Sequence, residues 1–311
     1  MTHEPGAQQH EAFEADYIPM PSIWKLGGLS WKELLRRTWR KFWTDRVLDQ
    51  SAMLSFYFLL AIFPLFLFLI ALVGLLLQSG PVLQERLHEY LAAVVPGPAS
   101  TLIDATLGEI DRGSGALKLS IALLFTWWSA SQGMFAIVSG LNIAYEVGES
   151  RPWWKKYLVA SGLTIVSLVL FACALLLLIY GGRFSASIAN HFGYSGFIAG
   201  MWRILTWLLL LAVVLMAFNI LYRYAPNVKR RQWHWLMPGT VAGITLWLLG
   251  SFGFQLYLSF FNSFTVTYGS IGAVIILLLW LYLSGIAILV GGEVNSVIEK
   301  ESGQVPKLAS E

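Results

Sequence analysis

Residues 267–295 read TYGSIGAVIILLLWLYLSGIAILVGGEVN, and this stretch decides the class of protein. It closes a run of 61 residues, from Gln232 to Gly292, that contains no Asp, Glu, Lys or Arg. A helix of about 20 apolar residues crosses the hydrocarbon core of a bilayer, which is roughly 30 Å thick. The stretch is therefore predicted to be a membrane-spanning helix with one carboxylate, Glu293, at its foot.

The rest of the chain repeats this pattern. Of its 311 residues, 57% are hydrophobic and only 13% are charged, whereas soluble domains have about 25% charged residues. The composition predicts an all-α, polytopic membrane protein. Six spans are expected within a membrane domain covering residues 47–298, at about residues 51–77, 119–140, 158–180, 203–222, 236–258 and 271–292.

The positive charges indicate the orientation of these spans. The N-terminal arm, the 141–157 and 223–235 loops and the C-terminal tail hold 16 of the 21 Lys and Arg residues. Loops rich in these residues stay in the cytoplasm, so both termini are predicted to be cytoplasmic. The formal net charge of +3 is too small to indicate a nucleic-acid partner.

The segments at the two ends of the chain are polar. Residues 1–29 are expected to form a disordered cytoplasmic tail, and residues 299–311 form a second cytoplasmic tail. Residues 30–46 are predicted to be an amphipathic helix in the membrane interface, which begins at a capping-box pattern of Ser30 and Glu33. The alternative is a basic flank that only sets the topology. In this helix the cations would lie near anionic phospholipid headgroups and the apolar side would face elsewhere. The apolar side consists of Trp31, Leu34, Leu35, Thr38 and Phe42. The cations are Lys32, Arg36, Arg37, Arg40 and Lys41.

The 78–118 segment is the one long loop expected outside the cell. It has two stretches of helical periodicity that Pro and Gly residues separate, which predicts a helical hairpin on the outer membrane surface. Loops of this length usually have a function. The loop is therefore a candidate contact for another protein of the cell envelope.

The first two spans carry the candidate polar residues. Pro64 should kink the first span, as a hinge or as a simple matter of shape, and the half before it is the more polar. On the second span, polar residues recur on one face at 3–4 spacing. Such a face cannot point into lipid. It must either form hydrogen bonds with a neighbouring helix or line a water-filled cavity that could hold a substrate. The candidate residues of the two spans are Gln50, Ser55, Tyr57, Ser129, Gln132, Ser139 and Asn142.

The last two spans carry small residues at helical spacing. Glycines allow two helix backbones to approach closely in a membrane, so these faces are predicted to pack helices together. On the fifth span the face consists of Gly239, Gly243, Gly250 and Gly253, and on the sixth span it includes Ser284 and Gly291.

Glu293 has two interpretations. It lies near the negative end of the helix dipole, so an acid there needs a basic partner, a hydrogen-bond donor or solvent. A structural ion pair with a cytoplasmic cation is favoured over a proton or substrate site because Glu293 is at the end of its span and not in the middle. The expected cluster combines it with cations of the cytoplasmic loops, Arg151, Lys155 and Arg223.

Motifs for enzymatic chemistry are missing from the sequence. The five His residues are scattered, and there is no Walker glycine loop, GxSxG or zinc-type Cys pattern. The cytoplasmic acids look few and unclustered. No metal, cofactor or catalytic residue is therefore expected.

Four ordered stretches resemble the YihY/virulence factor BrkB family of bacterial inner-membrane proteins. They cover most of residues 30–298, and the first differs from the family pattern in having Ser55 and Phe56 where Ala and Tyr are expected. The stretches are SAMLSFYFLLAIFPLFL from residue 51, GLNIAYEVGESRPWWKK from residue 140, LYRYAPNVKRRQWHWLMPGTVAG from residue 221 and the 267–295 stretch.

The resemblance implies six helices in the bacterial inner membrane but no agreed activity. The family's older label, ribonuclease BN, is generally regarded as a misassignment, and roles in envelope integrity and in lipid or solute transport have been suggested. The kinked first span, the polar stripe and the basic rim favour a transporter or lipid-translocating protein. The alternative is a membrane scaffold for envelope assembly, and the oligomeric state stays open.

Overall fold

A computed structural model of the protein describes residues 23–61, 115–192, 195–228, 236–260 and 264–303. Pro64, residues 78–114 of the predicted external loop and the outer parts of both tails lie outside these ranges, whereas residues 115–118 belong to a helix. The kink at Pro64 and the external hairpin therefore stay predictions.

The described residues form helices and contain no strand. A short 3-10 helix, Ile23–Gly28, precedes the first α-helix. The α-helices are α1 (Trp31–Thr44), α2 (Val47–Ala61), α3 (Gly115–Ala144), α4 (Trp153–Phe192), α5 (Ser195–Tyr224), α6 (Pro238–Phe260) and α7 (Phe264–Glu301).

Four segments in these ranges are long and apolar enough to cross a membrane: Trp153–Ala174, Gly200–Tyr224, Pro238–Phe260 and Val274–Glu301. They correspond to the third to sixth predicted spans, so the all-helical membrane class is confirmed. Many large apolar side chains on α4, α5 and α6 are exposed, as expected for helices that face lipid.

Helix α1 begins where the capping box predicted. The Ser30 hydroxyl accepts a hydrogen bond from the Glu33 backbone N–H at 3.3 Å, and Leu34 packs against Val297 and Ile298 of α7. The predicted apolar face is divided between two environments, because Leu34 and Thr38 are buried against protein whereas Trp31 and Leu35 are exposed. The side chains of Trp31, Leu35, Trp39 and Trp43, spaced four residues apart, are 57–69% exposed and point away from the bundle.

The predicted direction of Lys41 is wrong. The sequence pattern grouped it with outward-facing cations, but its side chain is only 13% exposed. Helix α1 packs against α7, and Lys41 lies on the same side of α1 as the buried Leu34 and Thr38. A helix side that touches protein can hold a cation when acids lie opposite it, and an amphipathic pattern alone does not reveal such a pair.

Among the described residues, many of the most deeply buried side chains lie where α1, the 145–152 turn, the residues around 225 and the last turns of α7 meet. The largest fully buried side chains there include Tyr145, Tyr222, Leu141 and Leu289. Four segments predicted to be basic and cytoplasmic thus come together at one end of the bundle, which we call the basic end.

Helices α6 and α7 cross closely at the basic end. A Cβ atom on Gly239 would collide with the Gly291 carbonyl oxygen and with Asn295, and one on Gly243 would lie 2.7 Å from the Tyr222 hydroxyl. Asn295 also accepts a hydrogen bond from the Gly239 N–H at 2.7 Å. It thereby caps the start of α6 from the neighbouring helix.

The other half of the predicted glycine face does not pack in this way. A Cβ atom on Gly250 or Gly253 would meet no atom within 4 Å among the described residues. The polar contacts to α7 instead continue through Trp247, which donates to Ser284 at 3.1 Å, and Ser251, which accepts from Trp280 at 3.4 Å. The contact therefore follows the i+4 row from Gly239 and Gly243, as crossing helices do, and turns away from the straight face that was predicted.

Candidate functional site

The cluster of charges at the basic end is built around the ammonium group of Lys41. Its Nζ atom lies 2.7 Å from Glu146 Oε1, 3.0 Å from Glu293 Oε2 and 3.2 Å from Asp45 Oδ2. It also donates a hydrogen bond to the Ala144 carbonyl oxygen at 2.7 Å. Three carboxyl groups from three parts of the chain therefore converge on one lysine.

Local structure places each of these groups. Asp45 is the C-cap of α1, one turn beyond Lys41. Glu146 follows the end of α3 with a φ of 52°, in the left-handed region that ends helices. Glu293 comes directly after Gly291 and Gly292, where the small residues let α7 approach Tyr222 and Leu141.

A second lysine joins the network from α7. Lys300 Nζ lies 2.6 Å from Glu146 Oε2, so Glu146 bridges the two lysines. Arg37 extends the network along α1, because it contacts both Glu33 and Glu301 at 2.6 Å. Ion pairs therefore join α1 to the last turns of α7.

Glu293 is the most deeply buried member of the cluster, with 0% of the residue exposed. Its Oε2 atom has the Lys41 ammonium nearby, but its Oε1 atom has no hydrogen-bond donor among the described residues. A buried carboxylate oxygen without a donor is costly. Glu293 therefore has an ion-pair partner but remains incompletely satisfied.

The partner of Glu293 differs from the cations that the sequence suggested. Arg151 instead donates to Asn227 Oδ1 at 3.1 Å and to the Ala225 carbonyl oxygen at 2.8 Å. Lys155 lies over the ring of its neighbour Trp154, and Arg223 is half-buried at the end of α5. The expected cluster of Glu293 with Arg151, Lys155 and Arg223 is wrong, because the buried face of α1 brings Lys41 closer.

The neighbours also change the acid–base properties of the cluster. Burial alone would lower the pKa of Lys41, but the charges of Glu293 and Asp45 and the hydrogen bond to Glu146 outweigh it and raise the pKa. Burial alone would raise the pKa of Glu146, but Lys300 and Lys41 outweigh it and hold the pKa below the ordinary value. Both groups are therefore charged at neutral pH.

The lowered pKa of Glu146 makes the stability depend on acid pH. The folded protein holds Glu146 ionised at a pH where the unfolded chain would bind a proton, so this contribution is present above the unfolded pKa and is lost as the pH falls through the folded pKa. Glu146 is partly exposed, so Glu146→Gln should lower the free energy of unfolding at neutral pH by only about 1 kcal/mol. Denaturant unfolding in detergent should show a shallower acid slope for this variant. Asp49→Asn, at a 71% exposed side chain, is the control and should keep the wild-type slope; equal slopes for Glu146→Gln and wild type would contradict the assignment.

The polar stripe of the second predicted span meets protein. Gln132 donates to the Tyr157 hydroxyl at 3.4 Å, and Ser139 accepts from Lys156 at 3.3 Å, both on α4. Ser129, like Gln132 and Ser139, lies on α3 and is half-buried. These contacts favour the interhelical interpretation of the stripe over the cavity interpretation.

Asn142 joins two loops at the basic end. Its Oδ1 accepts from the Asn227 N–H at 2.8 Å, and its Nδ2 donates to Glu149 at 2.9 Å. Asn227 in turn donates to the Gly148 carbonyl oxygen and to Ser150. These hydrogen bonds join the turn after α3 to the residues after α5.

The polar residues of α2 lie among other helices. The Ser55 hydroxyl is buried and donates to the Ala52 carbonyl oxygen at 2.8 Å. Tyr57 packs at the edge of the core, and the Gln50 side-chain oxygen is buried without a hydrogen bond among the described residues. The structure does not gather these three residues with the stripe of α3 into one described cavity.

Two cavities touch α7. The polar cavity, about 490 Å³, lies at the basic end and is lined by Arg37, Arg40, Lys41, Thr44, Asp45, Glu146, Val297, Lys300 and Glu301. The apolar cleft, about 560 Å³, lies between α6 and α7 and is lined by Ser251, Phe254, Gln255, Leu258, Ile276, Leu277 and Trp280. None of the residues predicted for a cavity lines either of them.

The expectation that acids are unclustered is wrong at the basic end. Asp45, Glu146 and Glu293 converge, but they do so on an ammonium group. In the described part of the chain, no group of three His, Cys, Asp or Glu side chains is arranged to hold a metal ion.

The sequence analysis did not identify Lys41, Asp45, Glu146 and Lys300 as members of the charge cluster. The signal for two of them was the spacing of Lys41 and Asp45, which places both one helical turn apart on the side of Leu34 and Thr38.

Comparison with known proteins identifies one family. Residues 38–311 match the family model described as Virulence factor BrkB. The chain is 35% identical over 253 residues to YfkH of Bacillus subtilis (strain 168), a protein named as ribonuclease-like; the match covers 81% of this chain and 90% of the relative. No solved structure matches the chain.

More distant relatives are named UPF0761 membrane proteins. One from Laribacter hongkongensis (strain HLHK9) is 27% identical over 271 residues, and one from Xanthomonas oryzae pv. oryzae (strain PXO99A) is 26% identical over 285 residues. Each match covers 86% of this chain but only 61% and 63% of the relatives. The chain thus spans less than two thirds of the length of these two proteins.

Proposed function

The chain belongs to the virulence factor BrkB family, and from this premise we propose that it is a transporter that translocates a lipid across the bacterial inner membrane. The proposal includes six crossings with both termini in the cytoplasm, so that the basic end faces the cytoplasm. It does not include ribonuclease activity, because the three acids that converge in the described residues surround the ammonium of Lys41.

The observation that carries the proposal is the pair of cavities along α7. Ile276 lines the apolar cleft and Val297 lines the polar cavity, and 21 residues of helix separate them by roughly 30 Å. The cavities therefore lie toward opposite ends of α7. Both volumes fall in the range of ligand-binding clefts. A molecule with a polar headgroup and an apolar tail would meet both kinds of surface as it moved along α7.

The surroundings of both cavities support a lipid over a water-soluble substrate. Phe252, Leu256 and Ile275, beside the cleft, have exposed side chains that face outward, so a lipid could reach the cleft from the bilayer. At the basic end, Arg40 is exposed on α1 and lines the polar cavity. The outward Trp residues of α1 suit the headgroup region of a membrane. Anionic or zwitterionic phospholipid headgroups fit this combination of charge and exposure.

The test is lipid translocation in proteoliposomes. The purified protein should move fluorescently labelled phospholipid between leaflets faster than protein-free vesicles do, as measured by quenching with a membrane-impermeant reductant. Ile276→Trp fills the cleft, and an overpacking cost of about 1–3 kcal/mol on the occupied state corresponds to roughly five- to 150-fold slower translocation. Leu249→Trp changes an exposed residue of α6 and is the matched control, which should keep the wild-type rate.

Two outcomes would count against the proposal. Translocation no faster than in protein-free vesicles, for several headgroups, would remove the transport role and favour the scaffold alternative. Equal effects of Ile276→Trp and Leu249→Trp would show that the cleft takes no part in translocation.

A further inference from the structure

Lys156 places a positive charge at the start of an apolar helix. It lies three residues into Trp153–Ala174, the segment of α4 that is long and apolar enough to cross a membrane, and it is half-buried. Ionisable residues within such segments are rare, and they usually pair with an opposite charge or mark a binding site. The groups around the Lys156 ammonium therefore decide which of the two applies.

The groups that contact this ammonium are neutral. Its Nζ atom donates a hydrogen bond to the Ser139 hydroxyl at 3.3 Å and lies 3.9 Å from the ring centroid of Phe135, both on α3. A hydroxyl oxygen and an aromatic ring each attract a cation, but neither neutralises its charge. An ammonium group has three N–H donors, and Ser139 accepts the one hydrogen bond that Lys156 makes among the described residues.

The acids nearest in sequence have other partners. Within the described ranges no ion pair joins Lys156 to an acid. Glu149 lies 3.3 Å from Arg151, and Glu146 bridges the two lysines of the charge cluster. The neighbouring Lys155 adds a second positive charge over the ring of Trp154. The positive charge of Lys156 therefore lacks a counter-charge from the described protein.

The position of Lys156 along α4 corresponds to the depth of lipid headgroups. Trp153 and Trp154, at the start of the apolar segment, are exposed, and Trp residues at such places lie in the membrane interface. Lys156 is about 4.5 Å further along the helix than Trp153. The headgroup region of each leaflet is roughly 5–8 Å thick, so the ammonium lies within reach of lipid phosphates.

The side of α3 that meets Lys156 is open. Gln132, Phe135 and Ser139 recur there at 3–4 spacing and are half-buried, whereas every other residue from 131 to 142 is buried. Across from them on α4, Lys156 and Tyr157 are also half-buried, and Tyr157 accepts the hydrogen bond from Gln132. We call these five residues the α3–α4 notch. The notch combines an unbalanced cation with polar groups that a ligand can reach.

We propose that the α3–α4 notch binds the phosphodiester group of a phospholipid from the leaflet at the basic end, with Lys156 as its counter-charge. The non-bridging oxygens of a phosphodiester carry the negative charge and accept charge-assisted hydrogen bonds from ammonium N–H groups. Residues of the notch line neither the polar cavity nor the apolar cleft. The site is therefore separate from the proposed translocation route and stands whether or not the protein moves a lipid.

Thermal unfolding of the full-length protein in detergent tests the site, because a ligand that binds only the folded state raises the Tm. Phosphatidylglycerol should stabilise the wild type, whereas dioleoylglycerol, which has acyl chains and no phosphate, should not. Lys156→Met should raise the half-saturating concentration of phosphatidylglycerol by about tenfold or more, as expected for a lost hydrogen bond to a charged group. Lys155→Met removes the same charge from an exposed neighbour and should keep the wild-type value.

A second variant separates loss of charge from loss of fold. Methionine packs well against an aromatic ring such as that of Phe135, so lipid-free Lys156→Met should unfold near the wild-type Tm. Lys156→Arg retains a cation with N–H donors and should retain phosphatidylglycerol binding. Loss of binding in Lys156→Arg as complete as in Lys156→Met would overturn the proposal.

Three further results would also overturn it, and two of them need no variant. Equal stabilisation of the wild type by phosphatidylglycerol and dioleoylglycerol would show that the phosphate is not recognised. Stabilisation by inorganic phosphate in place of the lipid would assign the notch to a free anion. Equal weakening of phosphatidylglycerol binding in Lys155→Met and Lys156→Met would show that the lipid responds only to the overall surface charge.

Discussion

Replacing Lys41 with methionine is expected to lower the free energy of unfolding by about 3–5 kcal/mol, because removing one partner of a buried ion pair leaves the other charge uncompensated. Methionine keeps most of the length of the side chain, so the loss reports on the ammonium group and not on packing. Among the described residues, the ion pair of Lys300 with Glu146 is then the one that remains to Asp45, Glu146 and Glu293, so Asp45 and Glu293 lose their partner. Protonation of the carboxyl groups offsets part of this cost at low pH, so the deficit should grow as the pH rises.

Denaturant unfolding in mild detergent would measure this effect. Lys32→Met changes an exposed lysine of the same helix and is the matched control, with an expected change within about 0.5 kcal/mol. The double variant Lys41→Met/Glu293→Gln should recover part of the loss, with a coupling energy of about 0.5–3 kcal/mol. If Lys41→Met were no worse than Lys32→Met, the ion pairs would not be what holds α1 on α7.

The class of fold could be predicted from the sequence because a lipid bilayer restricts the structures that can cross it. An apolar run long enough to cross the bilayer has few alternatives to a helix, so the third to sixth predicted spans each coincide with an observed apolar helix. The boundaries were less accurate. Helix α7 continues to Glu301, well past the predicted end at residue 292, because its last turns pack against α1 and need no apolar surface toward lipid.

The site was harder to predict than the fold, because it depends on which segments meet. Glu293 was recognised as an acid that needed a partner. The sequence could not show that α1 would return to the foot of α7 and carry Lys41 with it. An amphipathic pattern distinguishes polar from apolar faces, and the outward side of α1 is occupied by Trp31, Trp39 and Trp43. For a helix such as α1, which has exposed Trp side chains on one side and protein on the other, the apolar face is therefore a poor guide to the buried face.

Replacing Gly239 with alanine is expected to be the most disruptive single change among the small residues of α6. The added Cβ would collide with the Gly291 backbone carbonyl and with the side chain of Asn295. A carbonyl oxygen within a helix cannot move aside as a flexible side chain can, so the helices must separate, at a cost of about 3 kcal/mol. Separation would also break the hydrogen bond from the Gly239 N–H to Asn295, and a lost N-cap adds about 1 kcal/mol.

The same substitution near the other end of α6 should change the stability in the opposite direction. A Cβ on Gly250 meets no atom within 4 Å among the described residues, and alanine is more favourable than glycine inside a helix by about 1 kcal/mol. Gly250→Ala should therefore leave the protein as stable as the wild type or slightly more so, and thermal unfolding in detergent should separate the two variants by about 4 kcal/mol. A straight glycine face packed along its whole length would instead make both variants unstable. Equal destabilisation of Gly239→Ala and Gly250→Ala would thus contradict a crossing of α6 and α7 that is tight only at the basic end.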